Sequence, residues 1–296
     1  MSKLNSHLRF LESESIYIFR EAFSELENCC LLFSGGKDSI VMAHLAIKAF
    51  WPLKVPFPLL HIDTGHNFIE TLDFRNQFIN DFDFNLLVGD VIKSMKQRGL
   101  ESNESRNREQ SFALLDAIKK NKFDCCFGGG RRDEEKARAK ERIFSHRNVN
   151  GIWEPENQQP EMWNLYNTSK RLKEHYRVFP ISNWTERDIW EYVARENIQL
   201  PSLYYSHKRL VYKKENLIYA YDSNVYDPGK VELEEKIVRF RTIGDISCST
   251  AIESLAQSPQ EVLQELSILS STERGGRADD TFSETSMEDR KKEGYF

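Results

Sequence analysis

The chain has 296 residues, of which 40% are hydrophobic and 12% aromatic, which is enough apolar material for a packed core. Its formal net charge of −5 argues against non-specific nucleic-acid binding, because that role needs a basic surface. No run approaches the ~18 apolar residues of a membrane span, and residues 1–7 lack the apolar segment of a signal peptide. We therefore expect a cytoplasmic protein that binds neither nucleic acid nor membrane.

The five cysteines form two adjacent pairs, Cys29–Cys30 and Cys125–Cys126, and one single residue, Cys248. Adjacent cysteines in apolar runs are typical of small buried side chains in strands. The sequence contains no Cys-x-x-Cys and no cysteine–histidine spacing suited to zinc. We therefore expect structural thiols and no iron–sulfur cluster.

Predicted strands and helices alternate along the first two thirds of the chain, in the pattern of a parallel sheet. The predicted helices are 6–28, 40–50, 68–78, 111–120 and 189–196, the last opened by a capping box over 185–188. The predicted strands are 30–33, 57–63, 84–88, 123–127 and 177–181. The expected fold is α/β, with a five-stranded, mostly parallel sheet, helices on both faces and a C-terminal extension.

We predict three regions along the chain. Residues 1–200 form an α/β nucleotide-binding domain with a polar insert over 145–176, which covers the site or meets a partner. Residues 201–271 form a C-terminal subdomain of small strands and turns. Within it, Arg239 to Thr242 alternates like an edge strand, so Arg239 and Arg241 either add a cationic wall or flank the sheet. Residues 272–296 are a charged tail that is flexible or ordered by a partner.

The most informative segment is Ser34-Gly35-Gly36-Lys37-Asp38-Ser39, between the first strand and the second helix. Such a turn gathers backbone N–H groups and the positive end of a helix dipole around one point, which suits a phosphate. Gly35 and Gly36 allow close backbone approach, Ser34 and Ser39 supply hydroxyl groups, and Lys37 supplies a cation. The spacing is not that of the P-loop NTPases. The alternative is a glycine turn with a capping serine.

Two further segments end strands at the same predicted edge, where ligands of parallel sheets bind. Asp63 can hold Mg²⁺ or a ribose hydroxyl, or simply cap its turn, and Asp38 can orient Lys37 or bind Mg²⁺. Gly128 and Gly129 precede Arg131 and Arg132, which can hold an oxyanion bidentately; a solvated helix with ion pairs is the alternative. His61 is a core or supporting histidine rather than a base.

The loop over 34–39 resembles the PP-loop of the ATP pyrophosphatase superfamily, whose fold is of the adenine-nucleotide α-hydrolase type. The whole chain resembles, more narrowly, the small-subunit family of heterodimeric bacterial sulfate adenylyltransferases, within the phosphoadenosine phosphosulfate (PAPS) reductase group. The segments that carry this resemblance are Leu8–Ile16, Ser34–Ser39, Pro56–Gly65, Phe127–Arg142, Arg177–Glu186, Val238–Thr242 and Lys291–Phe296.

The resemblance implies adenylyl transfer from ATP to sulfate, giving adenosine 5′-phosphosulfate and pyrophosphate, the first step of sulfate activation. It implies Mg²⁺ and a GTPase large subunit as partner, since the chain has no Gly-x-x-x-x-Gly-Lys-Ser/Thr of its own. Lys37 and the loop would then hold the β and γ phosphates, Asp38 or Asp63 the Mg²⁺, and Arg131 and Arg132 the sulfate or the α phosphate. The charge-stabilising residues expected to take part in catalysis are Lys37, Asp38, Arg131 and Arg132.

Three alternative functions stay open at this point. One is FMN adenylylation, but that family lacks the long Gly-Gly-Gly-Arg-Arg-Asp-Glu-Glu block that this chain has over 128–135. A sulfonucleotide reductase on the same fold needs a redox cysteine near the C-terminus or cysteine pairs for a cluster, and Cys248 is the last cysteine here. A non-catalytic subunit that senses nucleotide would bind ATP without turnover. The intact loop over 34–39 favours an enzyme.

Overall fold

A computed structural model of the chain describes residues 3–100, 106–134, 139–223 and 228–268. The helices are α1 (Lys3–Glu25), α2 (Lys37–Phe50), α3 (Ile69–Phe82), α4 (Val91–Arg98), α5 (Arg106–Asn121), α6 (Glu186–Glu196) and α7 (Pro259–Leu266). The first six strands are β1 (Cys29–Leu32), β2 (Leu59–Asp63), β3 (Leu86–Asp90), β4 (Cys125–Phe127), β5 (Phe144–Arg147) and β6 (His175–Val178). The remaining strands are β7 (His207–Lys214), β8 (Leu217–Ala220), β9 (Leu233–Phe240) and β10 (Thr250–Glu253).

Strands β1 to β6 form one sheet in the order β3-β2-β1-β4-β6-β5. All neighbours are parallel except β5, which runs antiparallel to β6. The predicted α/β fold with a mostly parallel sheet is confirmed, but the count of five strands is wrong because β5 lies at the start of the predicted polar insert. Its sequence, Phe-Ser-His-Arg, has no apolar run, and Glu141 accepts hydrogen bonds from the buried side chains of Ser145 and Arg147.

Helices cover both faces of the sheet, as predicted. Along β1, Cys29 and Leu31 pack into the core beneath α1 and α2, whereas Cys30 and Leu32 pack against α5. The alternation follows from the two-residue period of a strand, which sends successive side chains to opposite faces. The four cysteines of the two adjacent pairs are free and buried, which confirms the prediction of structural thiols.

Strands β7 to β10 close into a small antiparallel barrel in the order β10-β8-β7-β9. The predicted edge strand at 239–242 is therefore wrong, because β9 pairs with β7 on one side and β10 on the other. The cationic wall is also absent there. Arg239 is buried and pairs with Glu265, and Arg241 pairs with Glu186.

Several boundaries differ from the predictions, and each difference has a local cause. Helix α4 was not predicted; it starts where the Asp90 side chain accepts the N–H of Lys93 and ends at Gly99 in the left-handed region. The predicted capping box is confirmed, with Thr185 and Asp188 bonded reciprocally. The charged tail lies outside the described residues, as do residues 135–138 of the segment for which a solvated helix was the alternative. Among the helices that the structure describes, none is long and apolar enough to cross a membrane.

Candidate active site

The glycine-rich turn between β1 and α2 has a shape that its sequence enforces. Gly35 adopts φ +76°, and a Cβ there would lie 2.6 Å from the Cγ2 of Thr71 on α3, so only glycine fits. The Ser34 hydroxyl accepts the N–H of Gly36 (3.2 Å), and the Ser39 hydroxyl donates to the Gly36 carbonyl (2.8 Å). The two serines thus shape the loop around the first turn of α2, whose N–H groups have no partners within the helix.

A cavity of about 220 Å³ opens at this loop, at the carboxyl ends of β1, β2 and β4. The sequence-predicted residues that line it are Ser34, Gly36, Lys37, Asp38, Ser39 and Gly129. Gly129 also brings its loop directly onto α2, because a Cβ there would lie 3.3 Å from the Cβ of Asp38. The structure therefore brings the loop over 34–39 and the glycine segment 128–130 together. They meet at the carboxyl edge of the sheet, where the sequence predicted a site.

Lys37, Asp38 and Arg131 form a chain of charges at the cavity, in which the two cations are buried and the carboxylate is partly exposed. The Lys37 ammonium donates to Asp38 Oδ2 at 3.1 Å, and Arg131 Nε donates to Asp38 Oδ1 at 2.8 Å. Arg131 Nη1 donates to Asp133 at 2.8 Å, and the Glu134 carboxylate accepts the Arg131 backbone N–H at 3.1 Å. The Arg131 side chain is 0% exposed. In this structure its guanidinium orients Asp38, and through it Lys37, and does not line the cavity.

Three other predicted residues lie near the cavity without lining it. Arg132 turns away and donates to the side chain of Asn183. Asp63 caps its turn, accepting the N–H of Gly65 at 2.8 Å and the amide of Asn67 at 3.2 Å. Gly128 leaves room for a ring, since a Cβ there would lie 3.0 Å from Phe179. These placements match the turn-capping alternative for Asp63 and separate the roles of the two neighbouring arginines.

His61 lines the cavity as a neutral imidazole. Its Nδ1 lies 2.9 Å from the Phe33 carbonyl oxygen and must donate to it, and Asn67 donates to Nε2 at 3.4 Å. Burial lowers the pKa of His61, although the bond to Phe33 acts in the opposite direction. Because the neutral form is favoured in the fold, the stability from this residue is present above pH ~6.5 and is lost as the pH falls. This agrees with the predicted supporting role.

The opposite wall of the cavity comes from the C-terminal third of the chain, which sequence reasoning missed. Tyr204 and the segment 242–245 line it, and Asp245 bridges to Asn67 through the backbone. Helix α5 adds Gln110 and Leu114. The only available signal was the position of Thr242, just after the arginine pattern at 239–241. Nothing local in the sequence places a barrel strand end beside the glycine loop.

Comparison with known proteins identifies the class to which this fold and site belong. Residues 28–251 match the family model described as the phosphoadenosine phosphosulfate reductase domain. The chain is 53% identical over 293 residues to "Sulfate adenylyltransferase subunit 2" of Mycolicibacterium vanbaalenii, covering 98% of this chain and 95% of the relative. It is 50% identical, over the same shares, to the protein of that name from Mycobacterium tuberculosis.

Solved structures agree on the fold. FMN adenylyltransferase of Candida glabrata has a TM-score of 0.53 at 15% identity, over 93% of this chain and 89% of that one. Its complex with ATP gives a TM-score of 0.52 at 14% identity over the same shares. The chain belongs to the phosphoadenosine phosphosulfate reductase domain family and, within it, to the sulfate adenylyltransferase subunit 2 proteins. It is accordingly a nucleotidyltransferase with an adenylyl-transfer role.

Proposed function

We propose that the cavity binds ATP with its β and γ phosphates at residues 34–39, and that sulfate attacks the α-phosphorus. A sulfate oxygen forms the new P–O bond, the bond to the β-phosphate oxygen breaks, and pyrophosphate leaves with the electron pair. The products are adenosine 5′-phosphosulfate and pyrophosphate. The observation that carries the proposal is the Lys37 ammonium, buried beside a glycine loop at a helix N-terminus, in a chain with these relatives.

Catalysis in this proposal rests on positioning and charge, because sulfate is already ionised and needs no base. The Lys37 ammonium and the other first-turn N–H groups of α2 neutralise the leaving pyrophosphate. Asp38 holds Lys37 in place, at 3.1 Å, and Ser34 and Ser39 keep the loop in shape. Arg131 acts through Asp38 rather than on the anion, which revises the direct contact expected from sequence.

The donor set fits Mg²⁺ poorly as a resident ion. Both oxygens of Asp38 already accept from cations, Lys37 and Arg131, and Oδ1 of Asp63 accepts two N–H donors at its turn, so Oδ2 is the one oxygen of these two carboxylates left for a metal ion. Among the described residues, no group of three or more candidate metal ligands occurs. We propose that Mg²⁺ enters on the phosphates of ATP, as part of the substrate, since magnesium in such sites is held largely by substrate oxygens and water.

We further propose that the forward reaction is driven by a GTP-hydrolysing partner. A phosphate–sulfate anhydride is higher in energy than the ATP bond broken to make it, and this chain carries no GTPase loop of its own. The relatives are named as subunit 2, and the sulfate activation that results would begin sulfate assimilation in the cytoplasm.

The test runs the reaction in its downhill direction. The purified chain, with and without the GTPase partner, receives adenosine 5′-phosphosulfate, pyrophosphate and Mg²⁺, and ATP is read by luminescence. We expect ATP from the wild type and about 10²–10³-fold less from Lys37→Ala, as for other single electrostatic contributors. Lys48→Ala is the matched control, because Lys48 lies on the same helix and pairs with Glu12 and Glu196, outside the cavity lining.

Two outcomes contradict the proposal. ATP formation that survives Lys37→Ala would show that the loop over 34–39 does not hold the pyrophosphate. No ATP in any condition, with nucleotide still bound, would replace the enzyme by a nucleotide-sensing subunit.

A further inference from the structure

Tyr204 joins the C-terminal wall of the cavity to the glycine loop. It ends a short 3-10 turn, Ser202–Tyr204, between α6 and β7. Tyr204 is buried, with 1% of the residue exposed. Its ring packs edge-on against Trp190 of α6, with 5.8 Å between ring centroids. A tyrosine has two side-chain torsions, and this packing fixes them. The hydroxyl is therefore held at a defined point of the cavity.

The hydroxyl of Tyr204 meets the loop at the first turn of α2. Its oxygen accepts the backbone N–H of Lys37 at 2.8 Å, and a Cβ on Gly36 would lie 3.4 Å from it. The Lys37 ammonium lies 6.0 Å from the centroid of the same ring. The amide of Lys37 is the first of the helix and points toward the place where a phosphate would sit. An oxygen of this chain already occupies that direction.

A tyrosine hydroxyl accepts and donates at once. When its oxygen accepts the Lys37 amide, its proton is directed to another side of the oxygen, and the residue lines the cavity. A hydroxyl that accepts from a helix N-terminus is also polarised, which strengthens its own donation. The first N–H of α2 would then act on a bound anion through one intervening O–H group.

We propose that Tyr204 is a phosphate-binding residue, whose hydroxyl donates to a β- or γ-phosphate oxygen of ATP and follows that group as pyrophosphate leaves. This inference rests on the proposed binding of ATP in the same cavity. It adds a residue from outside the strand–loop–helix segment and gives the C-terminal wall a direct part in holding the leaving group. The ligand chemistry is that of a polyphosphate, not of adenosine.

The test compares Tyr204→Phe with Tyr205→Phe by calorimetric titration of the whole chain with ATP, pyrophosphate and adenosine. Tyr205 is the matched control, because its ring also packs against Trp190, with 6.2 Å between centroids, and it does not line the cavity. Loss of one hydrogen bond to a charged ligand corresponds to about 10–100-fold in affinity. We expect that loss for ATP and pyrophosphate in Tyr204→Phe, unchanged adenosine binding, and wild-type behaviour in Tyr205→Phe.

The adenosine titration separates a change at the phosphate end of the cavity from a disturbance of the whole cavity. Equal losses for adenosine and ATP, or no loss for ATP, would overturn the role of Tyr204. Failure of the proposed reaction is distinguishable. A chain whose ATP affinity depends on Tyr204, but which forms no ATP from adenosine 5′-phosphosulfate, would keep this inference and reject adenylyl transfer to sulfate. A wild type that binds neither ATP nor pyrophosphate would reject both.

Discussion

The two walls of the cavity are built in different ways. The sheet wall consists of loops at strand ends that touch one another directly, as Gly129 touches Asp38, and are locked by the buried guanidinium of Arg131. The barrel wall packs against the sheet region through the shared apolar core, with Phe240 on Phe68, and adds separate polar ties. These are Tyr204 to the Lys37 amide, Arg209 to Glu70, Arg241 to Glu186, and Asp245 to Asn67.

The two walls should therefore respond differently to substitution. On the sheet wall, sterics and buried ion pairs leave no alternative arrangement, so a single change affects both folding and the reacting groups. On the barrel wall, each tie supports only part of the surface. Substitutions there should lower the free energy of unfolding less than substitutions on the sheet wall, and should also weaken ligand binding.

The largest effect is expected at Arg131. Arg131→Ala leaves Asp38 and Asp133 without their shared cation and should lower the free energy of unfolding by about 3–4 kcal/mol, near the lower end for breaking a buried pair, because both carboxylates keep some contact with water. Arg132→Ala, one residue away, removes a more exposed contact to Asn183 and should cost less than about 1 kcal/mol. Urea denaturation measures both, and equal losses would contradict the assignment of only Arg131 to the buried network.

A smaller loss of stability is expected at Gly35, and comparison with Gly99 separates backbone strain from close packing. Gly35→Ala and Gly99→Ala both force alanine to a positive φ, at +76° and +67°, which costs about 1–2 kcal/mol. Only Gly35 also meets Thr71, at 2.6 Å, while nothing lies within 4 Å at Gly99. The added overpacking should make Gly35→Ala about 1 kcal/mol more destabilising than Gly99→Ala. Thermal unfolding of the two variants gives the difference, and no difference would mean that the loop can move away from α3.

The smallest effect on stability is expected at the ion pair between Arg241 and Glu186, one of the polar ties of the barrel wall. Arg241→Ala breaks a largely buried pair with Glu186, at 2.6 Å, and should cost about 1.5–2 kcal/mol, with a several-fold weaker affinity for ATP as the wall loosens. Arg187→Ala on α6 is the control, because its pair with Glu191 involves a 61% exposed arginine and should contribute less than about 1 kcal/mol. Denaturation and ATP titration are read together. An unfolding cost at Arg241 equal to that at Arg131 would erase the contrast between the walls.

The sequence was a good guide to the sheet wall because its signals are local. A strand, a glycine turn and a helix start are contiguous over 30–50, and the rule for parallel sheets then brings Gly129 to the same edge. The burial of Arg131 was not predictable, since its partner Asp38 lies 93 residues away in the chain. Charge count alone also could not distinguish Arg131 from Arg132.

The barrel wall was not predictable from the sequence, because it also depends on contacts between residues that are far apart in the chain. Closure of β7 to β10 depends on non-local pairing, such as His207 with Val238, and the position of Tyr204 depends on how that barrel docks. Strand β5 was missed because its buried arginine and serine are stabilised by hydrogen bonds to Glu141, which a hydrophobicity pattern does not register.

The central claim is that this loop serves adenylyl transfer to sulfate, and its most direct test is isotope exchange between labelled pyrophosphate and ATP. The chain, with its partner subunit, is incubated with ATP, Mg²⁺ and labelled pyrophosphate, with and without sulfate. We predict that label enters ATP only when sulfate is present, and that Lys37→Ala abolishes the exchange while Lys48→Ala retains it. Exchange without sulfate, or none with sulfate while ATP stays bound, would contradict the account.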